Sequence, residues 1–133
     1  MYNEAKFIVG KSEQGEKYIG LTFERRKMID DKIRAVLAKR KVLHPDDEYN
    51  TEKCWLKEID ILCNDMNETI DFLRNRCTGE EFSWISEVFD EVAERSQCAD
   101  FIACLYEVAN KYPEETNESN ILEFIDSAKE LIE

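Results

Sequence analysis

Residues 78–113, TGEEFSWISEVFDEVAERSQCADFIACLYEVANKYP, decide the fold. Thr78 and Glu81 have the spacing of a capping box, in which the hydroxyl accepts from an early helical N–H and the carboxylate reaches back to the cap. Counting about 100° per residue from Phe82, Ile85, Val88, Phe89, Val92 and Ala93 fall on one side. Glu80, Glu87, Asp90, Glu91 and Glu94 fall on the other. No Lys or Arg stands between Thr78 and Glu94. The pattern predicts an amphipathic helix with one buried face and an unneutralised anionic ridge. Ser96 then offers an N-cap for a second helix over residues 98–112. Its apolar side, Phe101, Ile102, Cys104, Leu105, Val108, Ala109 and Tyr112, is broad and its charges are few, so it is expected to be the most enclosed helix. Pro113 is expected to stop it.

Toward the C-terminus, PEETNES reads as a loop, with Asn117 or Ser119 capping a last helix over residues 120–132. That helix turns Ile121, Leu122, Phe124, Ile125, Ala128, Leu131 and Ile132 inward and Glu123, Asp126 and Glu130 outward. Toward the N-terminus, residues 51–76 predict a long central helix. Trp55, Ile59, Leu62, Cys63, Met66, Ile70, Leu73 and Cys77 follow steps of three and four, while Cys54, Ile61 and Phe72 lie off that stripe, as in a helix contacted on two sides. Asp60, Asn64, Asn67 and Asp71 make its polar face. Asn64 and Asp65, two poor helix formers in succession, mark where it bends or splits. VLHPDDEYN, residues 42–50, is a loop, because His-Pro breaks a helix.

Residues 22–41 predict a further helix, with Ile29, Ile33, Val36 and Leu37 at helical spacing. Lys39, Arg40 and Lys41 suit its C-terminus, where cations meet exposed carbonyls. In residues 1–20, KFIVG and KYIGLTF flank a polar turn and read either as a short hairpin or as an extended arm. The expected fold is mainly all-α: one domain over residues 1–133, a compact five-helix bundle over 21–133 preceded by the arm or hairpin.

Composition agrees. The 133 residues suit one domain, and 4 Gly with 2 Pro leave little turn chemistry for a many-stranded fold. No apolar run approaches the roughly 18 residues of a membrane span, and the N-terminus lacks the pattern of a secretory signal. A cytoplasmic protein is expected. The 5 cysteines are odd in number and include no CxxC pair. Most sit on apolar stripes, which makes them small core residues in a reducing compartment rather than zinc ligands. The net charge is −12, unevenly spread: residues 1–43 carry 11 Lys+Arg against 6 Asp+Glu, and residues 44–133 carry 7 against 24. Such an acidic body repels nucleic acid and anionic membranes and attracts basic partners.

Arrangements that carry catalysis are missing. Gly10, Gly15 and Gly20 are too widely spaced for a phosphate-binding loop, and there is no GxSxG elbow. His44 is the only histidine, which excludes HExxH and Glu-x-x-His metal sites. Paired carboxylates do acid–base work only where their environments differ, and those on an exposed ridge are alike in solvation. No enzymatic activity, metal or cofactor is expected. A binding role is. Trp84 lies at the edge of the ridge, about 20° round from Glu91 and about 60° from Glu87. It reads either as an interface anchor ringed by carboxylates or as an aromatic closing the core against the long helix.

The segment WISEVFDEVAERSQCADFIACLYEVANKYPEE with the capped helix after it resembles the small helical immunity proteins of bacterial polymorphic-toxin and contact-dependent inhibition systems. The likeness spans residues 82–133 and rests on the Phe-Asp-Glu run, the Phe-Ile and Leu-Tyr pairs and the Lys-Tyr-Pro-Glu-Glu stop. It implies a cytoplasmic protein that neutralises a cognate toxin, commonly a basic nuclease, by covering its active site with acidic side chains. On this chain the expected contacts are Glu80, Trp84, Glu87, Asp90, Glu91 and Glu94, joined by Asp60 and Asp71. The alternative is a helical adaptor holding a peptide or partner helix in an apolar cleft. Pairing of the ridge carboxylates with the basic first third of the chain would remove the decoy surface.

Overall fold

The computed structural model describes residues 29–133. The hairpin or arm expected for residues 1–20, and the start expected for the first helix at residue 22, lie outside them. Residues 29–41 are helical and form α1. Then follow α2 (Glu48–Asn64), α3 (Met66–Asn75), α4 (Gly79–Ile85), a 3-10 turn (Ser86–Val88), α5 (Phe89–Ser96), α6 (Ala99–Lys111), α7 (Pro113–Glu118) and α8 (Ile121–Glu130). No strand occurs among the described residues, as expected of an all-α chain. In place of the five helices expected, the described residues form eight shorter ones.

Each extra break has a local cause. Helix α2 begins ahead of the expected Thr51 because the Asp47 side chain accepts from the Asn50 N–H at 3.1 Å. The Asn50 side chain, donating to the same carboxylate at 2.9 Å, and secondarily that backbone bond hold the Asp47 carboxyl below the usual carboxylate range. The long helix splits at Asp65, which is extended (φ −150°) and accepts from the N–H groups of Asn67 and Glu68 to start α3. Thr69 bridges the break, its hydroxyl donating to the Leu62 carbonyl at 2.6 Å. The same device recurs at α6–α7, where the Thr116 hydroxyl donates to the Ala109 carbonyl at 3.1 Å. Pro113 does not open a loop: it stands in the first turn of α7, where its missing N–H is no loss. Ser96 ends α5 rather than capping α6, and the turn between them is made by Gln97 in the left-handed region (φ 50°).

The acidic helix is the largest departure. Its capping box forms as expected, Thr78 accepting from Glu81 N–H at 3.1 Å and donating its own N–H to the Glu81 carboxylate at 3.0 Å. It runs only to Ile85, and the 3-10 turn after it breaks the rotation assumed in placing one ridge along residues 80–94.

Helices α2, α5, α8, α6 and α3 pack in that order around the core, and α3 closes on α2. Phe82, Phe89 and Phe101 are fully buried and stack in sequence, with ring centroids 5.4 Å and 6.2 Å apart. Burial of each such ring stabilises the fold by about 1.5–3 kcal/mol. Helix α1 adds Ile29, Ile33 and Leu37 to the same cluster. All five cysteines are free; Cys54, Cys77 and Cys104 are buried, and burial pushes the Cys104 thiol up to about 11.

Candidate protein-binding surface

Two of the ridge carboxylates are held by the basic end of α1. Arg40 grips Glu87 with two hydrogen bonds, Nε to Oε1 at 2.9 Å and Nη2 to Oε2 at 2.7 Å. Trp55 Nε1 on α2 donates to the same Oε1 at 2.9 Å. Lys41 lies 3.3 Å from Glu80, which stays exposed. Trp84 is half-buried against the core with the Arg40 guanidinium 5.1 Å above its ring. It therefore closes the core edge rather than standing free as an anchor. Asp90 is half-buried and accepts from the Ser127 hydroxyl on α8 at 3.2 Å. Glu91 and Glu94 are exposed, and neither has an ion-pair partner among the described residues. Of the two carboxylates expected on the long helix, Asp60 is exposed and meets Arg95 at 2.7 Å, and Asp71 binds Arg76 at 2.7 Å. The six ridge residues are thus not one surface.

Helix α1 neutralises a third carboxylate as well. Arg34 on α1 donates to the capping-box residue Glu81 at 2.8 Å and to the Arg76 carbonyl at 2.9 Å. Burial works to raise the Glu81 carboxyl, but the Arg34 and Thr78 hydrogen bonds outweigh it and hold it low. Arg76 reaches back to Asp30 on α1 at 2.9 Å.

One carboxylate went unseen in the periodicity. Glu58 is 0% exposed, and neither of its oxygens has a hydrogen-bond partner. Burial, and secondarily the charge of Glu87, push its carboxyl up to about 8, against the opposing pull of Arg40. It occupies the lane Cys54–Glu58–Leu62 at steps of four, and a charged residue inside an apolar lane was the signal available in the sequence. Glu58 and Glu87 are paired carboxylates in different environments, the condition for acid–base work, yet Glu58 does not line the cavity described below.

No family model, curated protein or solved structure matches the chain.

Exposed carboxylates without an ion-pair partner among the described residues occur on the outer face of α5 and α8, and also at Glu52, Asp100, Glu114 and Glu118. The two helices lie side by side: Asp90 meets Ser127, and the Gln97 side chain donates to the Leu131 carbonyl and accepts from the Glu133 N–H. Opposite their buried residues, Glu91 and Glu94 on α5 and Glu123 and Glu130 on α8 are exposed, with no ion-pair partner among the described residues. A cavity of about 540 Å³ lies elsewhere, between α1 and the α2–α3 break. Its lining is mixed, Lys32, Asp60, Asn64, Asp65 and Glu68 with Ile29 and Ile61. No group of residues suited to a metal ion, and no helix long and apolar enough to cross a membrane, occurs among the described residues.

Proposed function

We propose that this protein is a non-enzymatic inhibitor of the immunity type, which binds a basic protein partner such as a toxin nuclease through the outer face of α5 and α8. The observation that carries the reading is the row of unpaired, exposed carboxylates Glu91, Glu94, Glu123 and Glu130 on adjacent helices of a chain with net charge −12. The contact set differs from the one read along residues 80–94. Glu80, Trp84 and Glu87 leave it, because α1 engages them. Asp90, Asp60 and Asp71 leave it too, bound by Ser127, Arg95 and Arg76. Glu91 and Glu94 stay; Glu123 and Glu130 join. Such a face acts chiefly on the rate of encounter, since exposed rim charges steer approach. Phe124 and Leu122, exposed on the same helix α8, supply apolar surface that a partner can bury.

The test is co-expression with a candidate basic toxin-nuclease domain, followed by association kinetics at low and high salt. Wild-type protein should protect the host and associate faster at low salt. The double change Glu91→Lys and Glu94→Lys should slow association and flatten its salt dependence. Binding that is indifferent to salt and to both substitutions removes the electrostatic reading.

A further inference from the structure

Arg40, Glu87, Trp55, Trp84 and Glu58 meet where the end of α1 crosses α2 and the 3-10 turn. Arg40 has its Nε and Nη2 committed to Glu87, and Glu87 Oε1 also takes the Trp55 N–H. One carboxylate therefore ties three elements together. Glu58 is the unmatched member: it is fully buried, it makes no hydrogen bond, and it feels the charges of both Glu87 and Arg40. As a neutral acid it can be stored there at modest cost. As an anion it has no hydrogen-bond donor in place, and the guanidinium beside it is already engaged by Glu87 through Nε and Nη2.

We infer that Glu58 is a proton-controlled latch: while it is neutral, Arg40 clamps Glu87 and covers Trp84, and when it ionises, the two carboxylates compete for Arg40 and the end of α1 comes away from α2. The charged and titratable groups at this junction are Arg40 from α1, Glu87 from the 3-10 turn, and Cys54 one turn before Glu58 on α2. Farther along α2, Arg95 of α5 is engaged by Asp60 on the outer side and does not compete. Ionisation sets two like charges against one cation, so either Arg40 leaves its place over Trp84 or water enters the junction. Both routes loosen the contact of α1. The released end exposes the Trp84 ring and frees Glu87. The latch operates whether or not the α5–α8 face has a partner.

Both tryptophans of the chain, Trp55 and Trp84, stand at the latch, so intrinsic fluorescence reports on it directly. The experiment follows emission of the full chain from about pH 6 to about pH 9.5, below the ordinary range of tyrosine and lysine, beside Glu58→Gln. The wild type should show a transition centred near pH 8, and Glu58→Gln none. A flat wild-type curve, or a transition shared by the variant, overturns the latch. Should Glu58→Gln fail to fold, two measurements on the wild type decide. The Glu58 carboxyl carbon, followed by NMR, should titrate near pH 8; titration in the ordinary carboxylate range is a refutation. Amides of residues 36–41 should lose protection from hydrogen exchange across that midpoint, after correction for intrinsic base catalysis. Unchanged protection there refutes the release of α1 even if Glu58 titrates as described.

Discussion

At the scale of single residues, Glu58 sets the pH dependence of stability. Its folded-state carboxyl is raised from 4.5 to about 8, so the folded protein binds the proton more tightly than the unfolded chain. The contribution is fully present below about pH 4.5 and is lost as pH rises through about 8, by about 1.4 kcal/mol per pH unit within that window. Asp47 and Glu81 act in the opposite sense, since their depressed carboxyls favour the fold above their ordinary range. The difference between Glu58→Gln and wild type isolates the term. Urea midpoints should diverge in favour of the variant as pH rises from about 5 to about 8 and run parallel above it; midpoints parallel throughout exclude the assignment. The two arginine clamps differ in the same spirit. Arg40→Ala leaves Glu87 without its half-buried guanidinium and should cost about 1.5–3 kcal/mol. Arg95→Ala breaks an exposed pair with Asp60 and should leave the urea midpoint unmoved.

At the scale of elements, helix ends carry what periodicity alone did not report. The capping box at Thr78 was legible because it is a local rule with a fixed spacing, and Thr78→Ala should cost about 1 kcal/mol in thermal or urea unfolding. The α5–α6 turn was not legible, because it depends on Gln97 adopting a left-handed backbone (φ 50°) while its side chain clamps the end of α8. Two opposed terms meet there, backbone strain and side-chain hydrogen bonds. Comparison of Gln97→Gly with Gln97→Ala separates them: both lose the clamp, and the glycine variant should be the more stable by about 1 kcal/mol. Equal stability means the turn carries no strain. The packing of α4 on α7 was equally hidden. A Cβ on Gly79 would stand 2.7 Å from the Glu115 carboxyl, a proximity between segments far apart in the chain.

At the scale of the whole molecule, charge is arranged in two tiers. Cations of α1 cross the bundle to Glu80, Glu81 and Glu87, and α3 returns Arg76 to Asp30. The rows on α5 and α8 keep theirs unmatched. Their mutual repulsion weakens the compact state and is screened by salt. The thermal midpoint should therefore rise between low ionic strength and about 0.5 M salt, and rise less in a Glu91→Gln, Glu94→Gln, Glu123→Gln, Glu130→Gln variant. A midpoint that falls with salt shows the ion pairs of α1 to outweigh the unpaired rows.

The sequence by itself determined an all-α architecture, most of the buried stripes of its helices (Leu122 and Phe124, read as inward, stand exposed on α8), the break near Asp65 and the acid-rich character of residues 44–133. These follow from periodicity, propensity and composition, which act over a few residues at a time. Only the tertiary structure decided which carboxylates face solvent. Helix α1 delivers Arg40 and Lys41 to side chains more than thirty residues away, and Glu58 is enclosed where α2 meets the 3-10 turn. An acidic residue looks the same in a sequence whether a cation answers it or not. Pairing across helices is a matter of how they cross, and no local pattern encodes that.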